Sequence, residues 1–144
     1  MAPVAVPAPR RVLLPAPLRA QLVAVLRAAL PAEGVALLGG RRDGQDLRLG
    51  ALLPLPNVLA AADAFAVDPV DFARAQRDLP AAAPWLGFAH SHPGGTACPS
   101  AADARSLWRG CLHVIAGLQQ QRTLLAAWWH GAGGLLPLPI AELP

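Results

Sequence analysis

Apolar and polar residues alternate between two periods along this chain, and the switches between them divide it into strands and helices. Arg11–Leu14 is a brief apolar run that reads as a first strand. Pro15 and Pro17 then open a segment in which Leu18, Leu22, Val25, Leu26 and Leu30 follow i, i+4, i+7 spacing, with Val23 beside them, and Pro31 stops it. That pattern predicts an amphipathic helix. Gly34–Gly40 and Leu47–Leu53 flank a polar turn, Arg41–Asp46, centred on Asp43-Gly44, which predicts a hairpin.

Pro54-Leu55-Pro56-Asn57 breaks the pattern, and Asn57–Ala62 reads as a strand interrupted by loop. Phe65–Val67 has the composition of a short strand. Asp68 as N-cap with Pro69 at the first helical position opens a helix through Phe72 to about Leu79. Pro80–Pro84 links it to the apolar strand Trp85–Ala89, which Pro93-Gly94-Gly95 must end. Ser100 is the N-cap of a helix running to about Arg109 and closed by Gly110. Cys111–Leu118, Thr123–His130 and Leu135–Leu138 are the remaining strands, with Gln119–Arg122 as a hairpin turn. The order predicts an α/β (α+β) fold, a single-domain mixed β-sheet flanked by helices.

At 144 residues the chain is expected to form one domain with a core that needs no staples. Residues 1–10, rich in Ala, Pro and Val, are expected to be a flexible segment, and 11–144 the domain. An apolar share of 54% against 15% charged residues excludes disorder. All twelve basic residues are Arg and they are scattered, with Arg10-Arg11 and Arg41-Arg42 the only adjacent pairs. At a net charge of +3, without a clustered patch and stacking aromatics, nucleic-acid binding is not expected. Prolines interrupt the N-terminal apolar run before it reaches signal-peptide length, and no window of about 18 apolar residues exists, so neither a leader nor a membrane span is expected. Two cysteines, Cys98 and Cys111, make no disulfide framework, and a reduced cytoplasm is the simpler home.

The chemistry is concentrated in His90-Ser91-His92-Pro93 and Pro99-Ser100-Ala101-Ala102-Asp103. In a strand, positions i and i+2 share a face about 7 Å apart, so both imidazoles can reach one metal ion. Asp103 in the first turn of the next helix faces back toward the loop. Two His and one Asp are three N/O ligands, and three protein ligands plus water is the usual composition of a catalytic zinc site. Ser100 and Asp103 can equally form a capping arrangement, which does not compete with ligation. Cys98 reads as an incidental loop thiol, His113 as a structural strand histidine, and His130 receives no role. Trp128-Trp129 sends one indole to each face of its strand, leaving a sticky edge through which a homodimer could form.

His-Ser-His-Pro, then seven residues after the second His, then Ser-x-x-Asp, resembles the signature of the JAMM/MPN+ (Mov34-related) zinc metalloproteases of compact prokaryotic type. His90, His92, Ser100 and Asp103 match it residue for residue. The family's upstream glutamate, in a context like Pro-x-Glu-x-x-Gly-x-x-x-Gly, corresponds to Glu33 in Pro31–Gly40, where Gly34-Val35 replaces the small residue and Gly that normally follow. The resemblance runs from about Arg11 to about Leu138. It implies a cytidine-deaminase-like JAMM/MPN fold, and one Zn2+ held by His90, His92 and Asp103 with a catalytic water as fourth ligand. It also implies Glu33 as general base then acid, and Ser100 as donor to the oxyanion. The implied reaction is hydrolysis of a peptide or isopeptide bond after the Gly-Gly tail of a ubiquitin-like or sulfur-carrier protein. The rival expectations are a catalytically silent scaffold on the same fold and a metal-binding, repair-associated module without hydrolase activity.

Overall fold

The computed structural model describes residues 7–144. The expected flexible segment over 1–10 therefore falls for the most part outside the described residues; within them Pro9 is buried and the Arg10 amide donates to the Gln45 carbonyl at 2.7 Å. The element order is β1 (Arg11–Pro15), α1 (Ala16–Ala28), β2 (Val35–Asp43), β3 (Asp46–Leu55), α2 (Pro69–Asp78), β4 (Trp85–Pro93), α3 (Ala101–Ser106), β5 (Leu112–Leu118), β6 (Thr123–Gly131), β7 (Gly134–Leu138) and β8 (Ile140–Leu143). All strands belong to one mixed sheet of order β7-β6-β5-β4-β2-β3-β1-β8, in which β4 and β5 run parallel. Among the described residues no helix is long and apolar enough to cross a membrane.

The two edge strands are consecutive in sequence. Pro139 alone separates β7, paired with β6, from β8, paired with β1. A one-residue link between opposite edges forces the sheet to curl until they approach, and the Val12 amide of β1 holds the link through the Pro139 carbonyl at 2.9 Å. The concave face wraps α1, whose Leu18, Leu22 and Leu26 pack against Val12, Leu49 and Val114. Fully burying each such leucine stabilises the fold by about 1.5–3 kcal/mol. The alternate residues of the same strands, Leu37 of β2 and Phe88 of β4, face outward to a second core with Phe72 and Ala75 of α2. The parity that puts Phe88 on this outer face puts His90 and His92 there too.

Three local expectations are corrected. Phe65–Val67 is not a strand, because the Ala66 amide is taken by the side chain of Asn57 at 3.1 Å. Asn57–Ala62 forms turns rather than an interrupted strand, through the same side chain bonding to the Leu59 amide at 3.1 Å. The third helix stops at Ser106 rather than Arg109: Leu107 leaves the helix at φ −64, ψ 136 and is buried, while Gly110 at φ 76 turns the chain into β5. The strand β8 had no counterpart in the sequence pattern.

Candidate metal centre

Each group at the site is delivered by a separate local device. β4 carries His90 and His92 to the end of the outer face. Between them Ser91 points the opposite way, fully buried, and its Oγ accepts from the Gly34 amide at 2.8 Å while its own amide donates to the Gly34 carbonyl at 3.0 Å. This two-way clamp fixes the residue next to Glu33 against the histidine strand. A side chain at position 34 would not fit, since its Cβ would stand 2.9 Å from the Leu26 carbonyl at the end of α1. Glu33 is held further by its amide, which donates to Ala61 at 2.8 Å, and by its carbonyl, which accepts from Asn57 Nδ2 at 3.1 Å.

Asp103 is placed by a capping box at the start of α3. Its amide donates to Ser100 Oγ at 3.0 Å and its Oδ2 accepts from the Ser100 amide at 2.9 Å. Capping and presentation of the carboxylate use the same residue, as its spacing allows. Oδ2 also lies 3.1 Å from His90 Nε2 and 3.0 Å from His92 Nε2, and the two Nε2 atoms are 3.2 Å apart. Three donor atoms thus form a near-equilateral triangle. In a tetrahedral zinc site with bonds of about 2.0–2.2 Å, ligand atoms stand roughly 3.4 Å apart, so the triangle matches one face of such a tetrahedron to within a few tenths of an ångström. The His92 Nδ1–H donates to the Thr96 carbonyl at 2.9 Å, which leaves Nε2 with its lone pair toward the triangle.

Glu33 stands back from this triangle, its Oε1 4.0 Å from His90 Nε2. Donor atoms of Glu33, His90 and His92 all lie within 4.8 Å of one another, so this carboxylate faces the same point. Glu33 Oε1 is buried without a hydrogen-bond partner among the described residues, and burial pushes the carboxyl up to about 7. Burial alone would raise Asp103 too, but hydrogen bonds from His90 and His92 hold it well below the usual carboxylate range. Burial lowers His90, whereas the Asp103 contact raises His92. Two carboxylates that both approach His90 Nε2 are driven to opposite ends of the scale, the pattern expected of a proton carrier beside a charge-holding ligand. The centre opens on a cavity of about 380 Å3 lined by Glu33, Asp63, His92, Cys98 and Ser100.

All five residues singled out by the sequence motif therefore converge. Two others that complete the site carried no signal in the sequence reading, Asn57 as the organiser of the 57–66 loop and Phe65, whose ring covers His90 at 4.6 Å between centroids, and Ser91, though inside the motif, was not read as a clamp. His113 is buried and structural, its Nε2–H donating to the Trp108 carbonyl at 2.7 Å, and burial lowers it to about 4. His130 Nδ1 meets the same carbonyl at 3.2 Å, and the Cys111 thiol, pushed up to about 12 by burial, does so at 3.4 Å. Trp128 donates to the Ala97 carbonyl at 3.1 Å, and Trp129 turns to the inner core.

The family model for prokaryotic homologs of the JAB domain matches residues 15–131. Among solved structures, a protein of Desulfitobacterium hafniense determined in solution is 30% identical, with 92% of each chain covered and a TM-score of 0.82. A second solution structure, from Salinibacter ruber, is 24% identical over 90% of this chain and 91% of its own, with a TM-score of 0.61, and shares the fold. A comparison with curated proteins gave no match. The matched span holds Glu33, both histidines, Ser100 and Asp103, and the chain belongs to the prokaryotic branch of the JAB-domain family.

Proposed function

We propose that this protein is a zinc-dependent hydrolase of peptide or isopeptide bonds that acts after the Gly-Gly tail of a ubiquitin-like or sulfur-carrier protein. The observation that carries the reading is the donor triangle with an unpartnered, buried glutamate facing it across an open cavity. His90, His92 and Asp103 would hold the ion, three protein donors leaving one position open. Zinc supplies Lewis acidity and a lowered pKa for water at that position. Glu33 takes the proton from the attacking water and returns it to the leaving amine, a role that suits a carboxyl held near 7. Ser100 Oγ already accepts the Asp103 amide, and its own O–H is left to donate toward the cavity it lines. Such a donor to a tetrahedral oxyanion is worth about 3 kcal/mol.

The substrate reading rests on the family and on shape. The cavity at the end of β4 reaches the donor triangle between Glu33, His92 and Ser100, and an extended tail with no side chains enters it with the least steric demand. Cys98 and Cys111 are both unpaired, in keeping with a cytoplasmic setting. The test is cleavage of a sulfur-carrier fusion ending its tail in Gly-Gly, beside the same fusion with Ala-Ala and an unrelated peptide. Selective cleavage of the Gly-Gly fusion supports the reading; equal rates on all three overturn the tail specificity while leaving the hydrolase.

A further inference from the structure

A second concavity lies at the other end of the sheet. β4 enters the sheet at Trp85 and leaves it at Pro93, just past the metal centre, and the end of β2 borders its start, Gly39 pairing with Trp85. There the mouth of the curled sheet opens into a cleft of about 830 Å3, within the range of ligand sites. Its floor is apolar, made by Leu47, Leu86 and Trp129, the same side chains that cap the inner core. Its rim carries Arg41, Arg42 and Arg109, and no carboxylate lines it among the described residues.

The guanidinium groups are not neutralised. Arg41 donates to the Ala82 carbonyl at 2.6 Å and the Ala81 carbonyl at 3.1 Å, and Arg42 to the Pro7 carbonyl at 2.5 Å. Arg42 also stands over the Trp129 ring, 6.0 Å from its centroid. Carbonyl partners orient a guanidinium and leave its charge in place. The ion pairs of arginine among the described residues are Arg11 with Asp46 and Arg19 with Glu142, neither in the cleft. Three positive charges over an apolar floor present the complement of a segment that carries both acids and large apolar side chains.

We propose that this cleft binds an acidic, partly apolar peptide segment of a partner protein, at a site separate from the metal centre. The carboxylates meet Arg41, Arg42 and Arg109, while apolar side chains cover the exposed parts of Leu86 and Trp129. The reading does not depend on the hydrolase assignment, since no residue of the metal centre takes part.

The test is fluorescence anisotropy of a labelled peptide alternating Glu with Leu and Phe, titrated with the full chain at low and high salt. The Lys-for-Glu peptide is the charge control, and inorganic phosphate is a competitor. Saturable binding of the Glu peptide, weakened by salt and reduced about tenfold or more in both Arg109→Glu and Arg42→Glu, supports the site. Leu86→Asp, with melting temperature and zinc content checked, should abolish it through the floor. Equal binding of the Lys peptide, or unchanged binding in both arginine variants, overturns the proposal. Complete displacement by phosphate would also overturn it, by reducing the cleft to a small-anion site. A homodimer dispersed by the same substitutions would overturn it by assigning the cleft to a second copy of the chain.

Discussion

Asn57 stands outside every motif, yet its side chain makes four hydrogen bonds that tie the 57–66 loop together and to the backbone of Glu33. Its Nδ2 donates to the Glu33 carbonyl at 3.1 Å and the Ala64 carbonyl at 3.0 Å, and its Oδ1 accepts from the Leu59 and Ala66 amides, each at 3.1 Å. Asn57→Ala removes all four bonds. At about 1 kcal/mol net for each, the upper figure is about 4 kcal/mol; because the residue is half-buried, water recovers part, and a loss of about 2–3 kcal/mol is expected. Urea unfolding should show it as a lower midpoint at unchanged slope. The same loop supplies Ala61, which accepts the Glu33 amide, and Phe65, which covers His90, so zinc affinity should fall about tenfold or more. Asn57→Asp keeps the acceptor and sets a carboxylate against two carbonyl oxygens, and should be no more stable than Ala. A loss under about 0.5 kcal/mol with unchanged zinc affinity would refute the reasoning, because the loop would then be held by backbone contacts alone.

Two further outcomes follow from the packing. His113 is lowered by burial to about 4 against 6.5 in the unfolded chain, so its contribution is complete above about pH 6.5 and is lost as the pH falls toward 4, by up to about 3 kcal/mol. The urea midpoint should fall over that window, and His113→Gln should flatten this part of the profile; an unchanged profile in the variant would assign the acid sensitivity elsewhere. A methyl group at Gly87 would stand 1.8 Å from the Leu112 carbonyl across the β4–β5 pairing, whereas at Gly133 it would meet nothing within 4 Å. Gly87→Ala should therefore cost about 3 kcal/mol or more, and Gly133→Ala should stay within about 0.5 kcal/mol, as read by thermal melts.

The sequence was legible wherever a local rule dominates. The leucine spacing of α1 through Leu26, the hairpin around Asp43-Gly44, and the capping box of Ser100 and Asp103 depend on neighbours within a few residues and stand where their patterns put them, whereas Leu30, the last leucine of the helical pattern, falls in the turn after Ala28 and is exposed. The His-x-His pair shares a face because strand parity requires it. What escaped is set by partners far away in sequence. Asn57 turns a strand-like Phe65–Val67 into a loop through a contact nine residues off, and Ser91 clamps Gly34 across 57 residues. β8 is four residues beyond a proline, and its strand character comes from pairing with β1 at the opposite end of the chain. The helix at Ala101 is cut short because burying Leu107 outweighs three more residues of helix, a tertiary choice that propensity does not report.

The most direct measurement is zinc content and turnover of a Gly-Gly-tailed fusion, determined side by side for the wild type, Glu33→Gln and Asp103→Asn. The account predicts one zinc and cleavage for the wild type. Glu33→Gln should retain the metal with turnover down about 100-fold or more, and Asp103→Asn should bind zinc poorly. A wild-type chain that takes up no zinc when it is supplied, or a Glu33→Gln variant as active as the wild type, would contradict it.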